Sequence, residues 1–307
     1  MAPPIEVRAT RELRLGMTPA AFLRDYWQKR PLLIRGAFAD WTVPIAPEDL
    51  AGLACEDAAL SRLIERDAKR DTWRVRSGPF DEADFGQLGR THWTLLVQDV
   101  DKWDADVAQL IDYFDFLPRW RVDDVMISYA VDGGGVGAHV DQYDVFLVQG
   151  LGQRHWKISD DRDAPTAFRD DVELKLLAQF APTHDWVLEP GDALYLPPGV
   201  PHDGVAVGDC MTLSVGMRAP SVAELLTDLA DTVAEPLTED DRYDDPDLAV
   251  PADPHEIDAA AFARARRALA ALRDLDDAAI DAWFGRYITR YRAAQTPQAP
   301  AKPVTAA

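Results

Sequence analysis

Residues 135–158 read GVGAHVDQYDVFLVQGLGQRHWKI. A histidine and an aspartate stand one residue apart at the head of an apolar run, and a glycine-interrupted stretch leads on to a basic, aromatic end. On a strand the side chains alternate, so His139 and Asp141 would share one face and offer an imidazole and a carboxylate to the same side of a sheet. The pair alone carries little weight. Six histidines and 41 aspartates in 307 residues supply about 0.8 such pairs by chance.

The flanking sequence strengthens it. Between 121 and 218 the chain becomes a series of short β-rich runs, DVMISYA, DVFLVQ, RHWKI, WVLEPGDALYLPP and MTLSVGMR, separated by Gly, Pro and Asp. That cadence predicts an all-β barrel or jelly roll. Within it EPGDALYLPPGVPH (189–202) ends on His202, a second histidine delivered from a neighbouring strand. Two neutral imidazoles and one carboxylate on one face leave three positions of an octahedral ion open, which suits non-haem Fe(II). Zinc prefers a closed tetrahedron, and the nearest extra acid, Asp144, has the opposite strand parity. A zinc isomerase or hydrolase and a non-enzymatic cupin that binds a metal or small ligand are the competing readings.

Around the barrel, TPAAFLRDYWQK (18–29) has helical spacing behind a Thr18 cap and must stop before Pro31. PLLIRGA then reads as the first strand. Residues 47–70 suit one or two short helices that bury Leu50, Leu53, Leu60, Leu63 and Ile64. WRVRSGPF and THWTLLVQDV read as strands, and DVAQLIDYFDFLP (106–118) as a helix closed by Pro118. After Ala219 the pattern is helical. Ser221 and Glu224 form a capping box, and 256–293 hold two further amphipathic helices with Phe262, Leu269, Leu272, Ile280, Trp283, Phe284 and Ile288. The expected architecture is therefore mainly β with flanking helices. A catalytic unit spans 1–220, with helices and strands to 120 and the barrel core over 121–220. A helical, dimer-forming segment spans 221–293, and a Pro/Ala-rich tail over 294–307 is expected to be disordered.

Composition narrows the partners. The net charge of −21 disfavours nucleic acid and anionic membrane; it would attract a basic protein or serve only to maintain solubility. The two cysteines, Cys55 and Cys210, offer no disulfide framework. No apolar run reaches the length of a membrane span, and MAPPIEVRAT lacks the layout of a signal peptide, so a cytoplasmic location is expected.

The segments YWQKRPLLIRGAF, GGGVGAHVDQYDVFLVQGLGQRHWKI and EPGDALYLPPGVPHDG together resemble the JmjC family of Fe(II)- and 2-oxoglutarate-dependent oxygenases. The likeness runs over roughly residues 15–293 and is strongest to the bacterial ribosomal oxygenases, which hydroxylate an arginine of a large-subunit ribosomal protein. It implies a double-stranded β-helix core, with His139, Asp141 and His202 as iron ligands. It also implies Fe(II), with 2-oxoglutarate and O₂ as co-substrates. A cation must meet the distal carboxylate of 2-oxoglutarate. Arg154 matches the family's anchor and shares a strand face with Trp156, whereas Lys157 points the other way. Ser128 matches a family position that contacts the co-substrate, and Thr212 and Ser214, on one face of MTLSVG, are further candidates to hold the same carboxylate, or else line the barrel as ordinary hydroxyls. Asp132, beside the GGG, is a candidate partner for the substrate guanidinium, and the glycines suggest flexibility or close approach of a substrate backbone. A histidine of a ribosomal protein is the alternative target, since related JmjC enzymes act there. The bacterial enzymes usually carry a winged-helix domain after the helical segment. This chain ends just past the helices, so the expectation is a branch without that domain or a shortened chain, acting as a homodimer.

Overall fold

The structure is a computed structural model that describes residues 3–251 and 253–294. Ten strands carry the fold: β1 (Glu6–Arg8), β2 (Leu32–Arg35), β3 (Ser61–Asp67), β4 (Thr72–Ser77), β5 (Trp93–Val97), β6 (Val122–Ala130), β7 (Asp144–Ile158), β8 (His184–Leu188), β9 (Ala193–Leu196) and β10 (His202–Met217). They join in the order β1-β2-β9-β7-β10-β6-β5-β3-β4, with β8 on β7. This is a β-barrel of jelly-roll type, as the strand cadence implied.

Two long strands close it. The first half of β7 pairs with β9 and its second half with β8, while β10 runs antiparallel along both halves and also pairs with β6. Opposite Met211–Thr212 the ladder takes up one extra residue, Gly150, because Gln149 faces Thr212 and Leu151 faces Met211. A bulge of this kind bends the strand and reverses its parity. Odd-numbered Val145 and Leu147 point inward before it, and even-numbered Arg154 and Trp156 line the same cavity after it.

The apolar run of β7 is continuous because both of its faces are buried. Val145 and Leu147 join Trp156, Ile158, Leu188, Leu194 and Leu196 inside the barrel. Phe146 packs outward on Phe22 at 5.6 Å and Phe114 at 4.8 Å, under the N-terminal segments. The helix Pro19–Asp25 begins where expected, with Thr18 Oγ1 accepting from Ala21 N–H.

Several boundaries differ from the sequence reading. PLLIRGA is the second strand, since Glu6–Arg8 pairs in parallel with it. Only Pro47–Leu53 of the 47–70 segment is helical, and 61–67 is strand β3 between β4 and β5. There Leu63 and Ile64 are buried as expected, while Leu60 is exposed. Their spacing of three and four suits a helix, and the pairing with β4 and β5 overrides it. Residues 105–114 form one α-turn followed by a 3₁₀ stretch rather than a helix to Pro118.

The chain divides after Ala219 into two compact units. In the second, Ser221 and Glu224 make the capping box, with Ser221 Oγ accepting from Glu224 N–H at 3.1 Å and Glu224 Oε2 accepting from Ser221 N–H at 2.7 Å. Three helices follow that of Val222–Ala234, at Ala259–Ala268, Ala270–Arg273 and Asp277–Ala294. Trp283, Tyr287 and Ile288 are the buried centre, with Leu225, Leu229 and Phe284 against it. Of the other residues expected in this core, Phe262, Leu269, Leu272 and Ile280 are exposed. The tail expected to be disordered lies, from 295 on, outside the described residues. No helix among those described is long and apolar enough to cross a membrane.

Candidate active site

His139 and Asp141 do not lie on a strand. They occupy an extended approach to β7, and His139 makes an isolated antiparallel bridge to His202 at the start of β10. The two residues exchange both backbone bonds, His139 N–H to His202 O at 3.0 Å and His202 N–H to His139 O at 2.9 Å. A directly opposed pair presents its side chains to one face, and the imidazole centroids stand 4.2 Å apart.

The glycines upstream make this path passable. A Cβ at Gly134 would lie 2.2 Å from the Trp93 carbonyl oxygen, and one at Gly135 would lie 2.5 Å from that of Gly204. The close approach the structure shows is thus of the chain to its own strands β5 and β10.

Each histidine is oriented through Nδ1, which lies 2.8 Å from a carbonyl, that of Gly137 for His139 and of Val200 for His202. A carbonyl only accepts, so both Nδ1 atoms carry the proton and both Nε2 lone pairs remain for a metal. Those Nε2 atoms face Asp141, at 3.9 Å for His139 and 3.6 Å for His202. One ligand atom from each of the three residues falls within 4.8 Å of the others. Burial, followed by the neighbouring His139, holds the His202 imidazole well below the ordinary histidine range, which keeps it neutral and able to ligate. The donor set fits a divalent ion with open positions.

The three residues line a cavity of about 480 Å³ together with Arg154, Ser128, Thr212 and Ser214. Arg154 is only 5% exposed, and its Nε and Nη2 have no hydrogen-bond partner. Its guanidinium lies 5.8 Å from the Trp156 ring. A buried cation left unpaired costs several kcal/mol, so the cavity is built for an anionic occupant. Thr212 Oγ1 donates to Gln149 Oε1 at 3.0 Å, and Ser128 Oγ donates to the Thr212 carbonyl at 3.4 Å. Lys157 is not among the lining residues.

Asp132 is a correction. Its exposed carboxylate accepts the Gly208 N–H at 2.9 Å and so holds a turn, and it does not line the cavity. The acids that do, besides the ligand, are Asp124 and Glu173. The remaining histidines stay outside, His155 bonded to Asp185 and His184 to Thr183. Trp156 lines the cavity beside Arg154, as their shared strand parity implied, whereas the lining residues Met126 and Tyr143 were not marked by the sequence. Glu173 comes from the irregular 159–183 segment, where no periodicity marks a face.

Barrel, triad and unpaired arginine together define a cupin-type, metal-dependent oxygenase. Residues 109–225 match the JmjC domain family, and residues 182–295 match the AraC-like ligand binding domain. The ribosomal protein uL16 3-hydroxylase of Escherichia coli is 40% identical over 282 residues, covering 92% of this chain and 74% of that protein. Ribosomal oxygenase 2 of Mus musculus is 28% identical, covering 63% and 44%. Among solved structures, E. coli YcfD, a ribosomal oxygenase in complex with cobalt and 2-oxoglutarate, superposes with a TM-score of 0.73 at 39% identity, over 89% of this chain and 71% of that one. The chain belongs to the JmjC-domain ribosomal oxygenases.

Proposed function

We propose that this chain is an Fe(II)- and 2-oxoglutarate-dependent protein hydroxylase whose target is an arginine side chain of a large-subunit ribosomal protein. The observation that carries the reading is the His139–Asp141–His202 face, two imidazoles and one carboxylate, in one cavity with the unpaired Arg154. Iron bound there, with 2-oxoglutarate and O₂, supplies the oxidation of an unreactive C–H bond to an alcohol, with succinate and CO₂ as the other products.

The chain's own residues do the positioning. His139 and His202 offer Nε2, and Asp141 adds one negative charge to the metal. Arg154 receives the distal carboxylate of 2-oxoglutarate through parallel N–H bonds. Ser128 and Thr212 add hydroxyls beside it, and Val145, Leu147 and Trp156 exclude water from the reacting centre. At the same cavity Asp124 and Glu173 offer carboxylates to a guanidinium and Tyr143 an aromatic face. The net charge of −21 favours encounter with a basic ribosomal protein, in the cytoplasm where such proteins are made.

Incubating the Fe(II)-loaded protein, 2-oxoglutarate and purified large-subunit ribosomal proteins in air should add one oxygen to an arginine, read by peptide mass spectrometry. A hydroxyl found on histidine alone would transfer the assignment to that residue. No added oxygen on any protein would sink the hydroxylase reading.

We also infer a homodimer through the helical unit, in which the large apolar side chains Phe262, Leu269 and Leu272 are exposed. Sedimentation equilibrium should give twice the chain mass, and Leu269→Asp with Leu272→Asp should halve it. A wild-type monomer at micromolar concentration would refute the dimer.

A further inference from the structure

Three ligand atoms must point at one centre, yet they are not held equally well. Each histidine is oriented by a carbonyl on its Nδ1. The Asp141 carboxylate, by contrast, receives no such hydrogen bond among the described residues, and the two imidazoles face it at 3.9 and 3.6 Å. Its aim therefore depends on the backbone that carries it. Asp141 O accepts the Gly199 N–H at 2.7 Å. The short loop 140–143 is pinned at its start by the His139–His202 bridge and at its end by Asp144.

Asp144 is 0% exposed and is met on several sides. Tyr195 Oη donates to its Oδ1 at 2.6 Å, Gln28 Nε2 donates to its Oδ2 at 2.9 Å, and Arg121 Nη2 lies 3.4 Å from Oδ2. The groups brace one another. Gln28, held at a left-handed φ of 55°, donates its backbone N–H to Tyr195 Oη at 2.8 Å, and Trp27 stacks on the Tyr195 ring at 5.9 Å. Arg121 in turn lies over Trp27 at 5.5 Å. Segments far apart in sequence, the YWQKRP turn, the approach to β6 and strand β9, thus converge on the carboxylate three residues beyond Asp141. A buried acid is costly to keep, and an apolar residue would serve packing alone as well.

We propose that Asp144, through Gln28, Tyr195 and Arg121, is a positioning residue that sets the aim of the metal-binding Asp141. This rests on reading His139, Asp141 and His202 as the metal site. The Asp144→Asn change preserves shape but removes the charge that faces Arg121 and can turn an NH₂ group toward its guanidinium, which only donates. The loop end then loses the contact that fixes it.

The test is titration of the metal-free full chain with Co(II), following the visible absorption of the bound ion, beside thermal melting and circular dichroism. Asp144→Asn should bind Co(II) roughly 10-fold more weakly and with an altered absorption envelope. Adding Gln28→Glu to it restores a facing carboxylate and amide in reversed order, and should bring affinity back to within about 3-fold of wild type. Tyr195→Phe, which removes one donor and keeps the ring, gives a milder loss of Co(II) affinity and covers the case of an Asp144→Asn that does not fold. Folded variants with wild-type Co(II) affinity and spectrum, changed only in melting temperature, would overturn the proposal and leave the metal site standing. A wild type that takes up no Co(II) would overturn both.

Discussion

His139→Ala is expected to abolish the visible charge-transfer band that forms when Fe(II) and 2-oxoglutarate are added to the wild type without air, and to cut hydroxylation by about 1000-fold or more. Removing one of three protein ligands forfeits several kcal/mol of metal-dependent barrier lowering, and about 4 kcal/mol already corresponds to that factor. His139 is the informative ligand to remove. Its bridge to His202 is made by backbone atoms that alanine retains, and its ring is partly exposed. Among the described residues the bond from Nδ1 to Gly137 O is the one side-chain hydrogen bond lost, worth about 1 kcal/mol. The variant should therefore melt close to wild type, whereas His202→Ala would also open a void beneath Trp156. A band and turnover like those of wild type in folded His139→Ala would remove His139 from the metal face.

How much of this was legible depended on the kind of signal each residue carried. The β-rich cadence, the HVD pair and the terminal histidine of PPGVPH are local patterns, and they led to the barrel and to the three ligands that the structure brings together. The route to the shared face was nevertheless different. Strand alternation was invoked for His139 and Asp141, but they lie on an irregular approach, and it is the bridge to His202 that aligns the imidazoles. Parity pairs Arg154 with Trp156 correctly because both lie beyond the Gly150 bulge. Counted across the bulge from Val145, the same rule would have turned Arg154 outward.

What could not be read was set by contacts distant in sequence. Strand β3 looks helical from Leu60, Leu63 and Ile64 alone, and only pairing with β4 and β5 decides otherwise. Asp132 is close to His139 along the chain, yet its exposed carboxylate accepts the Gly208 N–H and does not line the cavity. Asp124 sits inside the cavity because β6 pairs with β10, a relation spanning some ninety residues that no local pattern encodes. The same holds for Asp144, dismissed by parity as a ligand and yet surrounded by partners from Gln28 to Tyr195.

Arg154→Met is expected to move stability and binding in opposite directions. In the protein without co-substrate the guanidinium is buried with two nitrogens unpaired, so replacing it by an apolar chain of similar length removes a desolvated charge and should raise the melting temperature. With 2-oxoglutarate the balance reverses. Two charge-assisted hydrogen bonds to the distal carboxylate, at about 1.5 kcal/mol or more each, are lost, so affinity should fall by about 100-fold or more. Melting curves of the Zn(II)-loaded protein with and without 2-oxoglutarate read both effects together. Wild type should gain stability as 2-oxoglutarate is added, because the ligand binds only the folded chain, and Arg154→Met should begin higher and gain little. Arg154→Lys separates charge from geometry, since an ammonium keeps the attraction but cannot make two parallel bonds, and an intermediate gain is expected. If Arg154→Met instead melts lower and is stabilised by 2-oxoglutarate as strongly as wild type, the arginine is a structural cation and the dicarboxylate is anchored elsewhere in the cavity.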